Sequence, residues 1–145
     1  MIFEHAAIII ISYLGIVSGY VILMFVPEER KQGEKYFSLA SFTAFYAIAF
    51  LSIYFLKPAF VFLPILFAVL FSFFRTNNIA YIFFSALIPF LPSSDAIISI
   101  SIAIFFYGLS AGALIFRRGE SKLKKILSYA YYPAVSIAIM IMQAP

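Results

Sequence analysis

Few side chains in this sequence are suited to chemistry, and they lie far apart. The chain has one histidine, His5, one aspartate, Asp95, and no cysteine. These numbers exclude a metal site with several histidine ligands, a haem held by two histidines and any thiolate site. A serine nucleophile needs a neighbouring base, and no histidine or lysine lies deep within an apolar segment. We therefore predict no catalytic residue, no bound metal and no cofactor.

The polar stretch RTNN is the other group that could act on a solute. It lies at the centre of residues 57–95, between two apolar arms, and Pro64 and Pro89 are almost equally far from it. If this stretch lies within a membrane, its arginine would mark a functional site. The flanking segments point the same way, because short, proline-interrupted segments are typical of transporter binding sites. The candidate residues of a substrate path are Arg75, Thr76, Asn77 and Asn78.

The composition indicates the solvent in which these residues are held. The chain is 65% hydrophobic and 11% charged, with a mean hydropathy of +1.07, whereas soluble domains have about 45–50% apolar and about 25% charged residues. Such a chain could not cover its apolar surface with polar groups in water. We expect a single domain, residues 1–145, within a lipid bilayer.

The charged residues divide the chain into apolar segments. A helix needs about 20 apolar residues to cross the hydrocarbon core, with a range of about 17–25. The segments are apolar on all sides and do not alternate as the strands of a barrel would. The sequence therefore predicts an all-α integral membrane protein with six transmembrane helices, at roughly 3–26, 36–56, 59–74, 77–92, 96–116 and 126–143.

The third and fourth segments are short and contain prolines, and two structures fit them. In the first, they are two spans kinked at proline, and residues 75–78 form a tight cytoplasmic turn, which suits Asn-Asn. In the second, they form a re-entrant hairpin that enters from outside, with residues 75–78 lining a cavity. Both begin and end outside, so the remaining topology is the same for either.

The basic residues predict the orientation of the helices. With six spans, Lys57 is the single basic residue on one side of the membrane, and the other nine lie on the opposite side. The side richer in basic residues is the cytoplasmic one. These nine residues are Arg30, Lys31, Lys35, Arg75, Arg117, Arg118, Lys122, Lys124 and Lys125. We expect the plasma membrane of a prokaryote, both termini outside, and the charged loops 27–35 and 117–125 in the cytoplasm. Glu4, His5, Lys57 and Asp95 would be exposed at the outer helix ends.

Two Gly-x-x-x-Gly motifs and one basic loop predict further contacts. The glycines allow helix backbones to approach closely, within one chain or across a homodimer: Gly15, Gly19, Gly108 and Gly112. The second charged loop has five basic residues and one acid and would contact anionic lipid head groups, through Arg117, Arg118, Lys122, Lys124 and Lys125. No continuous basic face is predicted, so a nucleic-acid partner is not expected.

Three classes of function fit these features. A non-catalytic subunit or scaffold of a membrane complex is favoured by the short loops, the Gly-x-x-x-Gly faces and the scarcity of catalytic groups. A small transporter or channel would use the central hairpin around Arg75–Asn78. A lipid-active enzyme is the least favoured, because no set of interfacial residues assembles into a mechanism.

Overall fold

The computed structural model describes residues 2–26, 30–115 and 122–142, and this part of the chain is helical and contains no strands. Short 3₁₀ segments at Pro58–Phe60 and Ile88–Phe90 flank the central hairpin. The helices are α1 (Ile2–Phe25), α2 (Arg30–Phe55), α3 (Phe62–Phe74), α4 (Asn77–Leu87), α5 (Ser94–Ile115), α6 (Lys122–Ser128) and α7 (Tyr131–Met142).

Three of the helices are long and apolar enough to cross a membrane. Their apolar parts are Glu4–Phe25, Gly33–Phe55 and Ser94–Leu114, and the apolar helical stretches Pro58–Phe74, Asn77–Phe90 and Ile126–Met142 are shorter. The described helices follow the six predicted segments, but only the first, second and fifth contain a helix of spanning length. The predicted loop 27–35 is wrong in part, because α2 begins at Arg30 and residues 30–35 extend the second helix by about one and a half turns.

The last predicted segment, 126–143, is not one regular helix. α6 ends at Ser128 and α7 begins at Tyr131. Pro133 has no N–H group and its ring crowds the carbonyl four residues earlier, so a regular α-helix is disfavoured here. The backbone tightens instead, with the Tyr129 and Tyr132 N–H groups donating to carbonyls three residues earlier, at 3.1 and 3.0 Å.

The prolines of the central hairpin mark helix boundaries where kinks were predicted. Pro64 lies in the first turn of α3, where a missing N–H costs nothing because that group has no intrahelical partner. Pro89 lies in the 3₁₀ segment that follows α4. Both helices are therefore short, and each proline lies at or beyond a helix end.

The helices form a closed ring in the order α2, α5, α1, α7, α4, α3 and back to α2. α1 and α5 make the most extensive contact and run parallel, because His5 is bonded to Ser94 near their starts and Gly19 abuts Leu109 further along. α2, which follows α1, packs mainly on α5, whereas α7 packs on both α1 and α4. The hairpin α3–α4 closes the ring.

Aromatic side chains fill the centre of this ring. Phe45 of α2 stacks on Phe71 of α3 at 3.9 Å between ring centroids and also contacts rings of α4 and α5. Tyr81 of α4 lies 5.1–5.8 Å from the rings of Tyr107, Tyr129 and Tyr132. All five helices that contribute these rings are held by one continuous cluster.

Hydroxyl groups join α1 to the end of the chain. The buried Ser12 hydroxyl donates to the Ile9 carbonyl at 2.7 Å and therefore accepts from the Tyr132 hydroxyl at 2.8 Å. The Tyr13 hydroxyl donates to the Ile126 carbonyl at 2.7 Å, in the region where the backbone has tightened. These bonds supplement the apolar contact between α1 and α7.

Replacing Tyr81 by phenylalanine is expected to stabilise the protein. The Tyr81 hydroxyl is buried and has no hydrogen-bond partner among the described residues, and an unsatisfied buried polar group costs about 1–3 kcal/mol. We expect Tyr81→Phe to raise the free energy of unfolding by about 1 kcal/mol and Tyr132→Phe, which removes the bond to Ser12, to lower it by a similar amount. Denaturant unfolding in detergent, followed by circular dichroism, measures both; destabilisation by Tyr81→Phe would contradict the assignment.

Candidate functional site

The turn between α3 and α4 contains the residues predicted to line a substrate path. Arg75 ends α3 in the left-handed conformation, with φ 47° and ψ 39°, and its N–H donates to the Phe71 carbonyl at 2.9 Å. Thr76 is extended, and its carbonyl accepts the Ile79 N–H at 3.1 Å as α4 begins. A positive φ is strained for a bulky residue, so this turn places an arginine where glycine would be easier.

The two asparagines fasten this turn to neighbouring helices. The Asn77 side-chain oxygen accepts a hydrogen bond from the Tyr107 hydroxyl of α5 at 3.0 Å. The Asn78 carbonyl accepts one from the Tyr131 hydroxyl of α7 at 3.1 Å. The tyrosines of α5 and α7 therefore fix the position of the hairpin tip.

The hairpin tip stops short of the ends of α2 and α5, and its residues Arg75, Thr76 and Asn78 are exposed. The Arg75 guanidinium carbon is 5.5 Å from the centre of the Phe42 ring, and Phe42 is nine residues along α2 from Gly33, or about 13 Å at 1.5 Å per residue. Tyr107, which binds Asn77, is seven residues before Leu114, or about 10 Å from the end of the apolar part of α5. α2 and α5 thus extend beyond the tip on the side where both charged loops begin.

A cavity of about 470 Å³ occupies the space above the tip. Arg75 and Asn77 lie on its α3–α4 side and Lys35 and Glu34 on α2. The cavity, which we call the vestibule, is lined by Glu34, Lys35, Ser38, Leu39, Ser41, Phe42, Phe71, Arg75, Asn77 and Leu114. The vestibule is polar at one end, where it is lined by two cations, one carboxylate and two serine hydroxyls. It is apolar near the Phe42 and Phe71 rings.

This geometry combines features of both predicted structures. The tip faces the end of the bundle at which the charged loops begin, as expected of two short spans with a turn on that side. It also lines an open cavity that is set back from the ends of α2 and α5, as expected of a re-entrant hairpin. Of the four predicted path residues, Arg75 and Asn77 line the vestibule, whereas Thr76 and Asn78 are not among its lining residues.

A second concavity was not predicted from the sequence. It has a volume of about 360 Å³, lies between α2 and α3, and is lined mostly by apolar side chains. We call it the groove, and its residues are Tyr46, Ala49, Phe50, Ile53, Pro64, Ile65, Ala68, Val69 and Ser72. The signal available in the sequence was weak: the small residues Ala49 and Ala68 lie among bulky ones on otherwise uniform apolar helices.

The four glycines of the Gly-x-x-x-Gly motifs lie at the contact between α1 and α5. A Cβ atom at Gly15 or Gly19 would overlap the carbonyl oxygen of Phe105 or Leu109, and one at Gly108 would lie 2.8 Å from the Ile16 nitrogen. Gly112 likewise faces the Ile16 carbonyl. The described chain uses both motifs for one internal contact between parallel helices.

The basic loop is only partly described. Arg117 and Arg118 lie outside the described residues, whereas Lys122, Lys124 and Lys125 belong to α6. Lys124 is exposed. The predicted contact of this loop with anionic lipid remains a prediction.

The opposite end of the bundle contains the single histidine. The His5 Nε2 atom lies 3.1 Å from the Ser94 hydroxyl oxygen, which links the starts of α1 and α5. Among the described residues, no cluster of three histidine, aspartate or glutamate side chains could hold a metal ion. No protein-family model, curated protein or solved structure matches this chain.

Proposed function

We propose that this chain is a six-helix integral membrane protein whose vestibule binds an anionic solute as part of a transport cycle. The charged loops 27–35 and 117–125 face the cytoplasm in this proposal, so the vestibule opens to the cytoplasm. The observation that carries it is the position of Arg75, which contacts Phe42 and lines an open cavity set back from the ends of α2 and α5.

The charges of the vestibule favour an anion. Arg75 and Lys35 contribute two positive charges and Glu34 one negative charge. An arginine at depth in a membrane is costly and is typical of a solute or ion pathway. The Arg75 guanidinium makes a cation–π contact with the Phe42 ring, and a guanidinium group can bind an anion through two parallel N–H groups.

The filled centre favours a transporter over a channel. Phe45, Phe71 and the tyrosines around Tyr81 occupy the space that a continuous pore would need. A site that is open at one end and closed by packed side chains beyond it suits alternating access, in which a short, broken helical hairpin moves relative to the remaining helices. The short α3–α4 hairpin is the element that would move.

Variants at Arg75 test the anion site. Sulfate or inorganic phosphate at constant ionic strength should raise the thermal midpoint of the purified protein, since a ligand at 100 times its Kd stabilises by about 2.7 kcal/mol. Arg75→Ala should lose this response and Arg75→Lys should retain part of it. Arg75→Gly should lose it while relieving the left-handed strain, which separates binding from folding.

A matched control lies at the other end of the bundle. Lys57→Ala removes a cation far from the vestibule and should leave the response to anions unchanged. An anion response that persists in Arg75→Ala, or that is lost equally in Lys57→Ala, would rule out the vestibule as the site. In proteoliposomes, the same variants should change anion flux in the same order.

The second candidate is a non-catalytic subunit of a membrane complex. The same filled centre supports it, because the bundle offers no path through it in this conformation. Such a subunit would co-purify with a larger partner in mild detergent, and it would lose solubility when that partner is deleted. Flux through liposomes containing this chain alone would argue against it.

A further inference from the structure

We infer that the anion bound in the vestibule is the head group of a phospholipid with a net negative charge, with one acyl chain in the groove between α2 and α3. This inference rests on the proposed anion site at Arg75 and names its ligand class. It requires that the vestibule and the groove form one continuous site. It also requires that the site has the length and polarity of a lipid.

The vestibule and the groove meet end to end. Both are lined by residues of α2 and α3. On α2 the groove begins at Tyr46, about one turn beyond Phe42 of the vestibule, and on α3 it begins at Ser72, about one turn from Arg75. The helices are antiparallel, so moving from Arg75 toward Pro64 on α3 corresponds to moving from Ser38 toward Ile53 on α2. A ligand can therefore extend from one into the other.

The groove is long enough for one acyl chain. From Arg75 to Pro64 there are eleven residues of α3, or about 16 Å. The hydrocarbon core of a bilayer is about 30 Å thick, so one leaflet has about 15 Å of acyl chain. A phosphate at Arg75 therefore allows a single acyl chain to fill the groove as far as Pro64.

The polarity changes along the site as it does along a phospholipid. The charged groups Arg75 and Lys35 lie at one end. At the junction, the Tyr46 hydroxyl is bonded to the Ser72 hydroxyl, and Ser72 donates to the Ala68 carbonyl at 2.8 Å. These hydroxyls lie where the ester groups would be, and beyond them the lining is apolar.

The small residues of the groove favour a chain over a helix. Ala49 and Ala68 form its floor, while Phe50 and Val69 rise at its sides and are exposed. A narrow apolar trough suits a flexible acyl chain. A transmembrane helix of a partner protein would cover the same groove but would bring no anion to Arg75. The positive charge at Arg75 therefore favours an anionic lipid over a partner helix.

Single tryptophan reporters test the inference, because the chain has no tryptophan. Val69→Trp places the reporter at the groove, and Ile102→Trp places it near the middle of α5, on the surface of another helix. The two positions are similarly exposed, 49% and 54%. Each variant is placed in phosphatidylcholine vesicles that contain a fixed fraction of brominated phosphatidylglycerol or brominated phosphatidylcholine, and fluorescence quenching is measured.

We expect a head-group preference at the groove alone. Brominated phosphatidylglycerol should quench Val69→Trp with about tenfold higher apparent affinity than brominated phosphatidylcholine, which corresponds to one charge-assisted contact. The Ile102→Trp reporter should be quenched equally by both lipids. Adding Arg75→Ala to Val69→Trp should remove the preference, and equal quenching by both lipids in the parent reporter would overturn the inference.

The tryptophan at position 69 could itself block the groove, so lipid binding is also measured by native mass spectrometry on the protein without tryptophan. The unaltered chain should retain phosphatidylglycerol over phosphatidylcholine, and Ala68→Phe, which fills the groove, should lose it while still responding to inorganic phosphate. If inorganic phosphate acts through Arg75 and no lipid preference is found, the anion site stands and the lipid inference fails. If phosphate also has no effect, both fail.

Discussion

Replacing Gly19 by alanine is expected to force α1 and α5 apart and to lower the thermal midpoint of the protein in detergent. A Cβ atom at this position would overlap the Leu109 carbonyl oxygen and lie 2.8 Å from the Leu109 Cα atom. Backbone atoms cannot rotate away as a flexible side chain can, so the whole helix has to shift. Because α1–α5 is the most extensive contact of the bundle, the change affects the entire ring.

The expected loss of stability follows from overpacking. Extra methylene groups in a well-packed core cost about 1–3 kcal/mol and occasionally more, and a clash against backbone belongs at the upper end of that range. Gly15→Ala should behave in the same way, because its Cβ would meet the backbone of Phe105. Circular dichroism at 222 nm, followed with temperature, measures the shift.

Gly33→Ala is the matched control for the glycine substitutions. Gly33 lies in α2, and a Cβ atom there would meet only the ring of Phe37, at 2.8 Å. That ring can rotate away, and alanine is favoured over glycine in a helix by about 1 kcal/mol. Gly33→Ala should therefore be neutral or stabilising. Equal effects of Gly19→Ala and Gly33→Ala would contradict the internal role of the glycine motif.

Replacing Phe45 by alanine is expected to have the second large effect. Phe45 is fully buried and its ring contacts rings on three other helices, including the stacked Phe71 at 3.9 Å and Tyr107 at 6.4 Å. Phe→Ala costs about 3–5 kcal/mol in a water-soluble core. Lipid is as apolar as a protein core, so in a membrane the transfer contribution disappears and the lost packing remains.

We therefore expect Phe45→Ala to lower the free energy of unfolding by about 1–3 kcal/mol, below the water-soluble range. It should also reduce the response to anions, because Phe71 lines the vestibule one turn below Arg75. Phe73→Ala is the control: Phe73 is on α3 and its side chain is 80% exposed. Denaturant unfolding measures the free energy of unfolding of both variants. A loss of stability in Phe73→Ala as large as in Phe45→Ala would argue against a packed centre.

The positions of the helices could be predicted from the sequence, whereas the faces they present could not. An amphipathic helix in water reveals its buried face by the spacing of its apolar residues. Here α1, α2 and α5 are apolar on nearly every side, so no spacing distinguished the residues that contact other helices from those that are exposed. Only the Gly-x-x-x-Gly motifs identified a contact, because close approach of two backbones requires glycine at a fixed spacing.

The candidate site was predicted in part for a related reason. Arg75 and Asn77 stood out because polar residues are rare between apolar segments, and both line the vestibule. Lys35 and Phe42, which complete it, lie more than thirty residues earlier in the chain, and no local pattern connects them with Arg75. The groove escaped notice because its residues are ordinary apolar side chains.

The sequence by itself determined the helical class and the approximate positions of the apolar segments, because apolar length is a property of local stretches of chain. It did not determine that the charged residues 30–35 and 122–125 are helical. The tertiary structure decided how far the α3–α4 hairpin extends into the bundle, which helices adjoin in the ring, and that aromatic side chains fill the centre. These depend on contacts between distant residues. The vestibule exists because a short hairpin, held by Tyr107 and Tyr131, stands between longer helices, and length differences become a cavity only when the helices are packed side by side.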